Sequence, residues 1–497
     1  MRLDKRRTSR GFAFIVLLAF VTVGALYLFV SQLDAAAIER GREEATTLAL
    51  ARAKEALIAY AITYPERHPV GSPPRAAYVP GHLPCPDSNG AIGNEGDEDP
   101  NCGAKGVTVV GYLPWKTLGL PAPRDGWGNC LWYAVSGNFK ANPKADLLNW
   151  DSLGQFQVVG SGGTTVLAGA TADTRPVAIV FSPGPPLPGQ ARVGGGGECG
   201  GDYTAGRFLD VLGAINNGLP NPAAEKVSTV IGKTSAGNND RLVWITRDDI
   251  FAHGIQRRSD LNSSLHRLAR QVAECVATYG KSNAGSRLPW AAPLALVDRT
   301  PDTHESDRFN DSIKLLVGRI AFQIRDSYVA SGSSLPSFAG CTGAGATGCR
   351  LYRIDNCPTI LDIAGNATAT NSPDGWFDKW KDHLYYAVAE DFQPSSSVPT
   401  ANLCASPTAS GHKCLYVDGV GPYAAVVMFA GGRQPDQART TLNDRNSPKN
   451  YLDGGNAEAI DNNTPTSAAF GKFFKAGNDD IVCIRKDLTI DESCSSP

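Results

Sequence analysis

Arg10-Gly11-Phe12-Ala13-Phe14-Ile15-Val16-Leu17-Leu18 opens an apolar run that continues without a charge to Val30, and the reading of this stretch decides the rest. As a helix, Phe12 to Val30 is roughly 28 Å long, close to the ~30 Å hydrocarbon core of a bilayer. Arg2, Lys5, Arg6, Arg7 and Arg10 precede it, with Asp4 as the one acid. That bias keeps the short end in the cytoplasm and sends the remainder across. Residues 12–33 are therefore expected to form a single transmembrane helix in the lipid bilayer, with the bulk of the chain periplasmic or extracellular.

Three processing schemes compete for this end. A plain membrane anchor accounts for charge and length. A secretory signal cut after Ala35-Ala36-Ala37 needs an apolar core of about 7–15 residues, shorter than this one. The third rests on the basic leader ending in Gly11, followed at once by Phe12 and the unbroken apolar helix. This arrangement resembles the signal of the type IV pilin-like (prepilin and pseudopilin) family of the bacterial inner membrane. Leu83-Pro84-Cys85-Pro86-Asp87 and Gly111-Tyr112-Leu113-Pro114-Trp115-Lys116-Thr117-Leu118-Gly119-Leu120 also resemble segments of large prepilin-like proteins of proteobacteria.

The resemblance implies that residues 1–11 are a leader, that a prepilin peptidase cuts after Gly11 and methylates Phe12, and that the retained helix packs with other pilin or pseudopilin subunits. Major pilins of the family carry a Glu where Val16 stands here. By the same resemblance a minor or priming subunit of a pilus or type II secretion-like system is implied rather than the bulk fibre subunit. The rival expectation is an envelope enzyme or adhesin that uses the helix only as a tether.

Past the apolar run, residues 34–64 contain no Pro and only Gly41 as a breaker. Leu50, Ala53, Leu57, Tyr60 and Tyr64 recur at three- and four-residue steps, one stripe of an amphipathic helix, and Pro65 is expected to end it. One helix from Phe12 to Tyr64 would be roughly 80 Å long.

The remaining chain is long enough for two or more domains, with 497 residues in all. A net charge of -2 and no basic block after residue 10 argue against nucleic acid as a partner. The 53 Gly and 33 Pro suit loop-rich β structure. Twelve Cys with no Cys-x-x-Cys pair, in an exported chain, read as disulfides rather than zinc ligands. Short spacing suggests Cys85–Cys102, Cys341–Cys349 and Cys404–Cys414.

A loose internal repeat runs through the sequence in one order. Leu50-Ala51-Arg52 answers to Leu268-Ala269-Arg270, and Leu83-Pro84-Cys85 to Leu288-Pro289-Trp290. Asp125-Gly126-Trp127 with Leu131-Trp132-Tyr133-Ala134-Val135 answers to Asp374-Gly375-Trp376 with Leu384-Tyr385-Tyr386-Ala387-Val388. Val177–Phe181 answers to 424–429, and Asn239-Asp240 with its apolar tail to Asn478-Asp479. An α+β fold follows: the long N-terminal helix, transmembrane then amphipathic, and two tandem pilin-like helix-plus-antiparallel-sheet modules at 65–255 and 256–497. Leu261, Leu265, Leu268, Val272, Cys275 and Tyr279 predict a helix from Asp260 onward. Phe309, Ile313, Leu316, Ile320 and Ile324 predict another, capped by Ser306 or Asp307.

No catalytic motif emerges, and no enzyme activity is expected. Gly232-Lys233-Thr234 lacks the glycine that a phosphate loop needs five residues earlier, where Val227 stands. His82-Leu83-Pro84-Cys85 has no second ligand pair. Asp87, Asn89, Asp97 and Asp99, inside the Cys85–Cys102 loop, offer the oxygen ligands that Ca²⁺ takes, six to eight at a time. The competing reading is a solvated acidic loop.

Overall fold

The computed structural model describes residues 8–67, 79–88, 94–145, 147–192, 197–218, 223, 226–232, 237–258, 260–282, 286–292, 294, 308–309, 315–320, 323–324, 349–350, 376–393, 404, 413–461, 470–475 and 477–496. It is a mixed α+β structure with several small sheets. Helix α1 spans Thr8–Ile62, and a single turn, α2 (Tyr64–Arg67), follows it. The long helix thus stops two residues earlier than expected, and Pro65 sits in the first turn of α2, where its missing N–H costs nothing. Leu50, Ala53, Leu57 and Tyr60 of the expected stripe, with Tyr64 in α2, are all buried. By contrast, Phe14, Ile15, Leu17, Leu18, Phe20, Val21 and Val23 are exposed. Among the described residues no helix is long and apolar enough to cross a membrane. The expected transmembrane helix 12–33 is therefore not supported here, although α1 runs through that segment.

The first half contributes β1 (Val109–Tyr112), β2 (Trp132–Val135), β3 (Phe156–Val159), β4 (Val166–Ala168), β5 (Pro176–Ser182), β6 (Val211–Leu212), β7 (Ile215–Asn216), β8 (Ser228–Ile231) and β9 (Arg241–Thr246). Strands β1-β2-β5-β9 form an antiparallel sheet. Alternation along each strand sends its side chains two ways. Leu131, Tyr133, Val135, Ala178 and Val180 join the core containing α1. Trp132, Ala134, Ile179 and Phe181 form a second core with Phe156 and Val158 of β3. The sheet is thus buried on both faces, which explains its continuous apolar runs. The small sheet on that second face, β4-β3-β8, pairs β3 with β8 in parallel, against the expectation of purely antiparallel sheets.

Short helix α3 (Arg247–Ile250) leads to α4 (Leu261–Ser282), the second expected amphipathic helix. Its predicted stripe, Leu261 through Tyr279, is buried. The third expected helix is not formed among the described residues. Residues 308–324 instead give β10 (Arg308–Phe309), β11 (Val317–Arg319) and β12 (Gln323–Ile324). Val317–Arg319 is buried at every position, as in a strand covered on both faces, and β11 gains a ladder partner that a helix would forgo.

After β13 (Cys349–Arg350) come β14 (Leu384–Val388), β15 (Leu415–Val417), β16 (Val420–Tyr423), β17 (Ala425–Phe429), β18 (Lys472–Phe473), β19 (Asp480–Ile484) and β20 (Ile490–Asp491). The main sheet, β11-β14-β17-β19-β20, repeats the order of the first and adds one edge strand. The small sheet repeats too. β15 pairs antiparallel with β16 and parallel with β18, as β3 does with β4 and β8.

Equivalence extends to single bonds. Tyr133 donates to the Pro84 carbonyl at 3.2 Å, and Tyr386 to the Pro289 carbonyl at 3.1 Å. A Cβ on Gly111 would lie 2.6 Å from the Asp87 carbonyl oxygen, and one on Gly318 would collide with the Ala292 carbonyl. Both strands therefore need glycine where the Leu-Pro segment crosses them. Gly126 of Asp-Gly-Trp is fixed similarly, since a Cβ there would strike the Arg42 carbonyl of α1. Its N–H donates to Thr46 Oγ1 at 2.9 Å.

Candidate functional site

Gly11 and Phe12 lie within α1, and their side chains are outside those described. Cys85–Cys102 and Cys404–Cys414 are joined as expected. Two further bridges, Cys130–Cys199 and Cys483–Cys494, escaped spacing arguments. The first spans 69 residues, and no local signal marks it. The expected Cys341–Cys349 pair falls outside the described residues and side chains.

In the acidic loop, Asn89 also lies outside the described residues. Asp87 and Asp99 are buried, and each is engaged within the protein. Asp87 Oδ2 accepts from Gly96 N at 2.7 Å, and Asp99 Oδ2 accepts from Ser88 N at 3.1 Å and from the Ser88 hydroxyl. Asp97 donates its N–H to the Asn94 carbonyl at 2.9 Å. Neighbouring Glu98 accepts from Tyr60 of α1 at 3.0 Å and from Cys85 N at 3.2 Å. Burial pushes the Asp87 carboxyl up to about 6; the Gly96 N–H opposes this and the charge of Asp99 adds to it. Among the described residues no group of three or more His, Cys, Asp or Glu is placed to hold a metal ion. The carboxylates of Asp87 and Asp99 are engaged within their own loop, and that of Glu98 ties it to α1.

The densest polar cluster lies elsewhere, where the halves meet. His383, at the start of β14, is fully buried between two carboxylates: Nε2 is 2.9 Å from Asp151 Oδ2, and Nδ1 is 3.0 Å from Asp382 Oδ1. Trp150 Nε1 points at the same Nε2 from 2.8 Å. Arg439 Nη1 reaches Asp151 Oδ2 at 2.9 Å. Arg445 Nη2 donates to the Asp151 carbonyl at 2.9 Å, and Asn149 Nδ2 to the Lys379 carbonyl at 2.8 Å and to Asp382 Oδ1 at 3.0 Å. The Lys379 ammonium donates to the Ala145 carbonyl. Arg319, from β11, donates to the carbonyls of Asp382, Leu294 and Arg445, over the rings of Tyr385 and Tyr451.

Burial alone would lower His383 and raise both acids. The flanking carboxylates overcome it for the imidazole, which is raised. Burial likewise pushes Asp151 up, but His383 and Arg439 bring it below the usual range. Asp382 ends far below that range, held by His383 with Arg445 and Arg319 nearby. Both carboxylates thus favour the protonated form of the buried ring. The ring is buried, and its described partners are these carboxylates, Trp150 and Arg439, so the arrangement ties charged groups of the two halves together. It clamps Ala145 and Asn149–Asp151 of the first half onto the second.

A second motif, missed by sequence reading, occurs in both halves. Arg192 Nη2 donates to Gln190 Oε1 at 2.6 Å and to the Phe208 carbonyl at 3.1 Å; Arg439 Nη2 donates to Gln437 Oε1 at 2.7 Å and to the Tyr451 carbonyl at 3.4 Å. Asn217 Nδ2 donates to Asp240 Oδ2 at 2.8 Å, and Asn456 Nδ2 to Asp479 Oδ2 at 2.9 Å. The signal was present as Gln190-Ala191-Arg192 with Leu209-Asp210, against Gln437-Ala438-Arg439 with Leu452-Asp453. No family model, curated protein or solved structure matches the chain.

Proposed function

We propose that the chain is a membrane-anchored, pilin-like subunit, a minor pilin or pseudopilin, with a structural or assembly role in a type IV pilus or type II secretion-like system. The observation that carries this reading is the basic leader ending in Gly11-Phe12 at the head of an uncharged run to Val30. It is supported by α1 continuing as one helix to Ile62, with Phe14, Ile15, Leu17, Leu18, Phe20, Val21 and Val23 exposed and one face of its later turns, Leu50 to Tyr60, buried. A tether alone has no need of a helix that also forms part of the folded core.

On this reading a prepilin peptidase removes residues 1–11 and methylates Phe12. The apolar half of α1 then lies in the bacterial inner membrane or against the helices of other pilin subunits, and both β-rich halves face the periplasm or the exterior. The clamp around His383 suits such a role, because it gives the two halves one fixed geometry without catalytic machinery. Mass spectrometry of the mature N-terminus tests the proposal. A methylated Phe12 terminus, lost in Gly11→Val, is expected; a chain beginning at Met1 or Ile38 would overturn it.

A further inference from the structure

A cleft of about 570 Å³ opens at the seam between the halves, among Trp150, α3–α4 and the turns at the ends of β17 and β19. Its volume falls within the ~300–1,000 Å³ of small-molecule sites. Gln256, Asn262 and Asn478 line it, all three are exposed, and none of their side-chain amides is hydrogen-bonded among the described residues. His266 and Asp480 also line it, but they are paired with each other at 2.8 Å. Among the described residues no Lys or Arg lines the cleft. Trp150 is half-buried with its indole N–H turned inward to His383, so what it has left to offer a ligand is its ring. Gly432 leaves the opposite wall bare, with nothing within 4 Å of where a Cβ would be.

This lining excludes two ligand classes. An anion would find no uncommitted cation, and an apolar ligand would desolvate three amides without replacing their bonds to water. What fits is a neutral molecule with hydroxyls in one plane and C–H groups across it: amides donate and accept in the plane while an indole covers the apolar face. We propose that this cleft binds a neutral oligosaccharide. The inference rests on the seam alone and stands independently of how α1 is processed.

The test uses the purified full chain in a zwitterionic detergent without sugar headgroups. Cellotriose, maltotriose and triacetylchitotriose are titrated by calorimetry and by tryptophan fluorescence. Saturable binding of at least one probe is expected. Gly432→Phe, which fills the cleft, should weaken it about tenfold or more with an unchanged melting temperature. Asn262→Ala, at an exposed position on α4, should weaken it severalfold and serves if the Phe variant misfolds. Three findings would each overturn the proposal: none of the probes binds, binding persists unchanged in both variants, or a heparin-derived sulfated oligosaccharide binds more tightly than every neutral probe.

Discussion

Cys130 and His383 occupy the same place in the two halves, directly before Leu131, which leads into β2, and Leu384, which opens the matching β14. In the first half the position is tied covalently, by the bridge to Cys199. In the second it is tied by charge, to Asp382 beside it and to Asp151 of the other half. A neighbouring position shows the same divergence. Tyr112 of β1 packs on Trp132, with ring centroids 4.1 Å apart, whereas its counterpart Arg319 lies 4.9 Å over the ring of Tyr385. One scaffold has therefore been secured twice by different physics. The first half closes on itself, and the second closes partly on the first. The second half should accordingly be the more sensitive to loss of its partner.

The largest expected effect comes from breaking the clamp. Asp151→Ala removes the carboxylate shared by His383 and Arg439 and leaves buried positive charge uncompensated, which costs about 3–5 kcal/mol. Thermal melts should show it, and the near-ultraviolet signal of Trp150 and Trp380, whose rings are 4.6 Å apart, should fall with it. A variant melting within a degree of the parent would mean that the clamp is incidental. Next comes the covalent counterpart. Replacing Cys130 and Cys199 together by Ser should cost about 2–4 kcal/mol, chiefly by freeing a long loop in the unfolded chain. Proteolysis of the folded protein should then begin in the first half and leave the second intact; cleavage in both at once would contradict the independence of the first.

How much of this was legible beforehand follows from what each signal measures. The stripes of α1 and α4 were readable because each helix buries one face, so periodicity reported burial directly. β2 and β5 were readable as uninterrupted apolar runs. The same signal failed at Phe309–Ile324. Residues spaced for a helix coincided there with a short apolar run, Leu315-Leu316-Val317, that leads into the buried strand β11, and periodicity in so short a window does not separate the two. The His383 cluster was invisible because Asp151, His383 and Arg439 meet only after the halves dock, across 232 residues between the first two and 56 between the last two. The Gln-Ala-Arg and Leu-Asp pairs were visible as letters. They lie in loops of unequal length, so they did not register with the strands on which the repeat was recognised.

The halves also differ in how acid and base should act on them. Asp240 and Asp479 are equivalent and both are buried. Burial, with the charge of Asp210 adding to it, pushes Asp240 to about 8. Burial pushes Asp479 to about 6, against the hydrogen bonds from Asn456 and Asp453. A raised carboxyl binds its proton more tightly when folded than when unfolded, where the value is about 3.9. Its stabilising contribution is complete below the unfolded value and is lost as pH rises through the folded one. Stability should therefore fall as pH rises above about 3.9, with the second half's share gone by about 6 and the first half's by about 8. Asp479→Asn should make the fall below pH 6 shallower, and Asp240→Asn should abolish the part between 6 and 8. A pH profile that either substitution leaves unaltered would sever that residue from the titration.

The smallest effect is the one on which the halves should agree. Tyr133 and Tyr386 each bury a hydroxyl on a proline carbonyl, Pro84 and Pro289, at nearly the same distance. Tyr→Phe at either place deletes one neutral hydrogen bond and strands a buried acceptor, a loss of about 1 kcal/mol. The two sites lie in different sheets and share neither the disulfide nor the clamp. Their costs should therefore be equal, and additive in the double variant to within about 0.5 kcal/mol. Unequal costs would show that the divergence at Cys130 and His383 has spread into the strands themselves. Equal and additive costs would confine it to the seams, where one half was given a covalent tie and the other a charged one.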